Sequence, residues 1–188
     1  MRIGVDIDGV LFPWDFVARR AVRLHHGEDA CSPEPSTHWN GLKDELTKKQ
    51  WRWVWGEGRD AIFGSLACYP DAVWAVSDLI RMGHEVHFVT HRDPATTLHH
   101  TAGFLRYHFD GPWAGVHSVR ATTPKETLAD WDVFIDDKPE TILRFLELER
   151  TKVFAPRRTW NEAELDGVHG LVYYDDAHEI VEWVEEHS

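Results

Sequence analysis

The chain has 188 residues, 43% hydrophobic and 28% charged, which suits one sizeable core in a soluble globular protein. The formal net charge is −12, which argues against a long nucleic-acid duplex or an anionic membrane as the main partner. A small anion held in a local cationic pocket remains compatible with that charge. Cys31 and Cys68 have no metal-type spacing and predict no disulfide framework. Met1 runs straight into a strand pattern and no apolar run approaches membrane-spanning length, so the expected location is cytoplasmic and reducing.

The first element is a short, apolar, β-branched strand over 3–7, followed at once by acidic residues and Gly9. A helix over 12–26 has Pro13 near its start and Val17, Ala21 and Leu24 at helical spacing. Residues 27–41 read as loop, with Gly27, Pro33, Pro35 and Gly41, and 42–69 mix short helical pieces with Trp and Gly. Trp51, Trp53 and Trp55 alternate, which fits either an extended segment with one aromatic face or a packed helix. The pattern then becomes regular. An amphipathic helix over 71–82 is closed by Gly83, and a strand covers 85–90. Asp93-Pro94 opens a helix to about 109, a short strand covers 116–120, and Thr123-Pro124 opens a brief helix. A strand over 132–135 ends in Asp136-Asp137, and a helix covers 139–149. Strands over 152–155 and 171–173 and a closing helix over 177–186 complete the chain.

Strands alternating with helices predict a parallel α/β sheet with helices on both faces. In such sheets ligands bind beyond the carboxyl ends of the strands. Asp6-Ile7-Asp8-Gly9, Thr90-His91-Arg92 and Asp136-Asp137-Lys138 all fall at strand ends, so the fold brings them to one edge. The stretch 15–69 reads as a small, mainly helical cap inserted over that edge, on a core made of 1–14 and 70–188.

Two carboxylates two residues apart, Asp6 and Asp8, can divide the roles of nucleophile and proton donor in transfer of a phosphoryl group. Carboxylates alone would repel a phosphate, and a hard cation such as Mg²⁺ solves this. Asp6, the backbone carbonyl of Asp8, and Asp136 are the expected ligands, with Asp137 bound through water or orienting Asp136. Thr90 offers a hydroxyl to phosphate oxygens, His91 follows it, and the Lys125 ammonium can neutralise both the phosphate and Asp6. Asp136-Asp137 could equally cap the helix that follows. A calcium loop starting at Asp6 would need Gly at 11 and Glu at 17, and finds Leu11 and Val17.

Together these residues resemble the four motifs of the haloacid dehalogenase-like phosphatase superfamily. Val5 to Leu11 looks like the first motif, Phe88-Val89-Thr90 the second, Lys125 the third, and Phe134-Ile135-Asp136-Asp137 the fourth. The resemblance implies a Rossmann-like fold and a phospho-aspartate on Asp6, with Asp8 as general acid then base. It also implies phosphate contacts from Thr90 and Lys125, and Mg²⁺ on Asp6, Asp8 and Asp136. Within the superfamily the chain is most similar to the 5'(3')-deoxyribonucleotidases. The insert lies between the first and second motifs, Ile62-Phe63 precedes Tyr69-Pro70-Asp71-Ala72, and the fourth motif has the form Ile-Asp-Asp-Lys. Residues 154–161 resemble a late loop of related nucleotidases. Where that family has Ser-Pro after the motif-two threonine, this chain has His91-Arg92, which adds a cationic group.

The expected substrate is therefore a nucleoside monophosphate, with Phe12, Trp14, Trp39 and Phe63 as candidates to stack on the base. A cap of this size also needs aromatics for its own core. A sugar phosphatase, a phosphomutase and a non-catalytic phosphate-binding module are the competing readings. The pairs His25-His26 and His99-His100 are adjacent and are not expected to face one site. Arg157-Arg158 reads first as a solvated turn, with a phosphate or base contact as the alternative. Trp113 and Trp183 are candidates for an exposed surface that would support a homodimer.

Overall fold

The computed structural model describes residues 1–188. Six strands form one parallel sheet: β1 Arg2–Val5, β2 Glu85–Thr90, β3 Gly115–Ser118, β4 Val133–Ile135, β5 Lys152–Pro156 and β6 Leu171–Tyr174. The order across the sheet is β3-β2-β1-β4-β5-β6. The chain builds outward from β1 on one side, then crosses back and builds outward on the other. The reversal falls between β1 and β4, where doubly wound sheets open a crevice for ligands.

Alternation along each strand divides the core in two. Ile3, Val5, Val86, Phe88, Val133, Ile135 and Phe154 face one cluster, while Val89, Phe134, Val153 and Ala155 face the other. The first cluster is covered by α5 (Pro70–Arg81), α6 (Pro94–His108) and α9 (His178–His187). The second is covered by α7 (Pro139–Leu146), through Ile142 and Phe145, and by Leu165 of α8 (Glu162–Leu165), a short helix absent from the sequence reading. Gly4 has no side chain because the Phe134 ring fills its place; a Cβ there would lie 2.3 Å from that ring.

Between β1 and α5 the chain forms α1 (Trp14–His26), α2 (Gly41–Glu45), α3 (Lys48–Trp55) and α4 (Arg59–Phe63). A Thr47–Gln50 capping box starts α3, so the alternating tryptophans are helical. Trp51 and Trp55, four apart, share one face, and Trp55 stacks on Trp14 at 5.7 Å. Trp53 points the other way and stacks on His25 at 4.4 Å. Loop 27–40 is tied to α1 by Arg19, which is 2% exposed. Arg19 donates to Asp15, to both Glu45 carboxylate oxygens, to Ser36 Oγ and to the Ser32 carbonyl, all within 3.0 Å.

Trp113 and Trp183 are half-buried rather than exposed, packed edge-on against Phe88 and Phe154. No helix is long and apolar enough to cross a membrane.

Candidate active site

Asp6 stands at the carboxyl end of β1. Its N–H still donates to Ile135 O of β4, at 2.9 Å, so its carboxylate leaves from the end of the sheet at the reversal point. Asp136 and Asp137 follow β4 immediately on the other side of that point. Thr90 closes β2, and Lys125 begins a single 3-10 turn, Lys125–Thr127. Four segments far apart in sequence thus converge because each ends a strand or opens a helical turn at the same edge.

The Lys125 ammonium lies 2.9 Å from Asp6 Oδ2 and 2.8 Å from Asp136 Oδ2, with its side chain 1% exposed. Asp6 Oδ1 accepts from Ile7 N, and Asp136 Oδ1 accepts from Lys138 N. Asp137 Oδ2 accepts from the Trp160 indole at 2.9 Å, while Asn161 Nδ2 donates to the Asp137 carbonyl. Asp137 Oδ1 is buried with no partner. Gly9, at φ 81°, lies against the same carboxylate; a Cβ on it would come 1.8 Å from Asp137 Oδ2. Only glycine meets both demands.

Oxygens of Asp6, Asp136 and Asp137 lie within 4.8 Å of one another, and all three residues are buried. Three carboxylates face one buried ammonium, which leaves the charge deficit that one divalent cation would fill. The unpartnered Asp137 oxygen and the all-oxygen donor set fit Mg²⁺. The electrostatics carry the same message. Burial pushes Asp6 up from 3.8 to about 7 against the pull of Lys125, with Asp136 and Asp8 adding to the rise. Burial, then the charges of Asp6 and Asp136, push Asp137 well above the usual carboxylate range. Burial works against the Lys125 ammonium, but Asp136 and Asp6 overrule it and its pKa is raised.

Asp6 and Asp137 therefore bind protons more tightly folded than unfolded. The stability this provides is present below pH 3.8 and is lost as pH rises through about 7. In chelator, the protein is expected to melt at a lower temperature at about pH 8 than at about pH 6. Added Mg²⁺ is expected to raise the melting temperature more at the higher pH. Thermal denaturation at the two pH values checks this, and a higher melting temperature at the higher pH in chelator would contradict it.

A cavity of about 240 Å³ opens over this cluster. Asp6, Asp8, Thr90, His91, Lys125 and Asp137 line it from the sheet side. Trp14, Trp39, Trp51 and Trp55 line it from the inserted helices and loop, together with Asp15 and Lys43. Thr90 Oγ1 accepts from Arg92 N, leaving its hydroxyl hydrogen to donate. His91 Nε2 donates to the Thr123 carbonyl at 3.0 Å, and burial followed by the Lys125 charge lowers its pKa. His91 is thus a neutral ring bracing the Lys125 turn, with Nε2 already used.

Phe12 and Phe63, expected to stack on a base, do not line the cavity: they are 0% and 1% exposed. Their rings instead lie under the Arg92 guanidinium, 4.8 and 4.9 Å from its centre. Apolar rings beside an apolar core gain more from burial than from a wet cavity wall. Sequence reasoning named neither Trp51 and Trp55 nor Trp160 as site residues. The i, i+4 spacing inside a capped helix was the available signal for the first two. Arg158 is no solvated turn: its Nε donates to Gly9 O at 3.1 Å and its guanidinium stacks on Tyr69. His99 and His100 do share a cluster, with Asp60, away from this cavity.

No protein-family model matches the sequence, and comparison with curated proteins finds no relative. Solved structures do match over nearly the whole chain. A candidate phosphoglycolate phosphatase from Lactobacillus delbrueckii subsp. bulgaricus superposes with a TM-score of 0.70 at 11% identity, covering 97% of each chain. An HAD family hydrolase from Deinococcus radiodurans R1, holding phosphate and sodium, gives 0.62 at 13% identity over 98% of this chain and 95% of that one. The fold is that of the haloacid dehalogenase-like hydrolases. A D,D-heptose 1,7-bisphosphate phosphatase from B. bronchiseptica, complexed with magnesium and phosphate, gives 0.55 at 13% identity over all of both chains.

Proposed function

We propose that this protein is a Mg²⁺-dependent phosphoric monoester hydrolase acting on nucleoside monophosphates, 5'(3')-deoxyribonucleotides in particular. The observation that carries the reading is the buried cluster of Asp6, Lys125, Asp136 and Asp137 at the reversal point of the sheet. Phosphate in the Deinococcus and B. bronchiseptica structures of this fold supports a phosphate ester as substrate. The tryptophan wall opposite the carboxylates supports an aromatic leaving group, since base–aromatic stacking is worth about 1–3 kcal/mol per base. In this reading residues 15–69 are the cap that selects the substrate, and two free cysteines suit a reducing cytoplasm.

The chemistry runs in two steps. The Asp6 carboxylate attacks phosphorus, the bond to the leaving oxygen breaks, and Asp8 gives that oxygen a proton. Water then attacks phosphorus, Asp8 takes its proton, the Asp6–phosphorus bond breaks, and orthophosphate leaves. Lys125 balances charge on Asp6 and on the phosphate, and Thr90 donates to a phosphate oxygen. Asp6, Asp136, Asp137 and the Asp8 carbonyl would hold Mg²⁺, which neutralises the charge of the transferring group.

Phosphate release from a panel of ribo- and deoxynucleoside monophosphates and sugar phosphates, with and without Mg²⁺, tests this. Turnover of deoxynucleotides that needs Mg²⁺ and is lost in Asp6→Asn is expected. Turnover of sugar phosphates alone would keep the mechanism and overturn the substrate; no turnover of any ester would overturn the enzyme.

A further inference from the structure

Arg92 is the second residue after Thr90, and its side chain is 1% exposed. A guanidinium is costly to bury unless its donors are used and its surroundings hold it. Here Nε lies 3.1 Å from Asp8 Oδ1 and 3.0 Å from Oδ2, and Nη2 lies 2.7 Å from Oδ1. Its centre sits 4.8, 4.9 and 5.9 Å from the rings of Phe12, Phe63 and Phe104, which come from three separate segments. Guanidinium groups stack well on aromatic faces. The backbone is held too: Arg92 N donates to Thr90 Oγ1, and Ser118 Oγ donates to Arg92 O at 2.5 Å. Nη1 is buried with no partner, so the sequence accepts an unmet donor to keep this fork on Asp8.

The partner is unlike the other carboxylates of the site. The Asp8 side chain is 29% exposed, whereas those of Asp6 and Asp136 are 9% and 0% exposed. It rises from a loop rather than from a strand end. A side chain so placed would sample several rotamers without a fixed donor, and proton transfer needs it within hydrogen-bond reach of the leaving oxygen. Oδ1 receives two donors and Oδ2 one, so Oδ2 keeps the larger free hydrogen-bonding capacity.

We infer that Arg92 is a positioning residue that fixes Asp8 at the point of proton transfer, through a guanidinium clamped on three phenylalanine rings. This rests on the phosphatase reading above. Arg92 acts through Asp8 and does not hold the phosphate.

The test separates the two roles by leaving group. Arg92→Met is compared with the unsubstituted enzyme on a nucleoside monophosphate, whose leaving alkoxide needs a proton, and on 2,4-dinitrophenyl phosphate, whose leaving group needs none. Nucleotide kcat is expected to fall about 10²–10⁴-fold with KM little changed. On the activated ester a burst of about one dinitrophenolate per protein is expected at near the original rate, followed by slow release. Arg92→Lys, which keeps the charge and lies in the same aromatic slot, is expected to show the same split with a smaller loss, and covers the case in which the methionine variant does not fold. A burst slowed as much as nucleotide turnover would place Arg92 on the phosphate and overturn the inference, as would unchanged nucleotide turnover. Absence of turnover in the unsubstituted protein would overturn the phosphatase reading and this inference with it.

Discussion

Replacing Lys125 with methionine is expected to lower both the stability and the turnover of this protein strongly. Its ammonium contacts Asp6 and Asp136 from a site where both carboxylates are buried. Removing one partner of a buried ion pair leaves the other charge unpaired and costs about 3–5 kcal/mol. At this chain length that lowers the melting temperature by about 10 °C. Turnover is expected to fall about 10²–10³-fold, the usual effect of losing one preorganised charge at a reacting group. Mg²⁺ is expected to restore part of the stability, because it supplies cationic charge to the same oxygens, and none of the rate. Calorimetry with and without Mg²⁺, beside steady-state kinetics, checks this. A variant as stable as the parent in chelator would mean that the three carboxylates do not need the ammonium.

The second large effect is expected at Arg19→Met. This change removes the donors that bind Asp15, Ser36 and Glu45, and with them part of the tie between α1 and loop 27–40; the Ser36–Asp15 and Arg23–Cys31 bonds remain. Asp15, at 7% exposure, would be left with only the Ser36 N–H and hydroxyl. A loss of about 3–5 kcal/mol in stability is expected for the broken buried pair. The same loop carries Trp39 and Asn40 into the cavity, and Asp15 and Ser36 line it directly. KM is therefore expected to rise about tenfold, while kcat at saturation changes little, the pattern of lost uniform binding. A lower melting temperature with unchanged KM would mean that the loop does not shape the binding wall.

The edge that gathers Asp6, Thr90 and Asp136-Asp137 is legible in the sequence because each of its parts is local. A β-branched run ending in Asp6, another ending in Thr90 and a third ending in Asp136-Asp137 need only the rule that parallel strands point one way. Alternating strands and helices predict a parallel sheet, and all six strands pair in parallel; their order across the sheet is seen only in the structure. The cavity wall was less legible, because its residues are sorted by packing rather than by local pattern. Phe12 and Phe63 have the chemistry to stack on a base, yet they lie under Arg92 in the interior. Trp51, Trp53 and Trp55 alternate like a strand, yet the Thr47–Gln50 capping box makes them helical and sends Trp53 away from the cavity. The grip of Arg92 on Asp8 spans 84 residues and depends on rings from three segments, so no spacing in the sequence encodes it. Trp160 reaches Asp137 from 23 residues away for the same reason.

The central claim is that Asp6 carries the phosphoryl group. Rapid quenching of the enzyme during turnover of a deoxynucleoside monophosphate, followed by borohydride reduction and peptide mass spectrometry, tests it directly. An acyl phosphate on Asp6 is reduced to homoserine, so the tryptic peptide Ile3–Arg19 is expected to lose the mass difference between aspartate and homoserine at Asp6 alone. Reduction at another carboxylate, or none at all in an enzyme that turns over, would contradict the account.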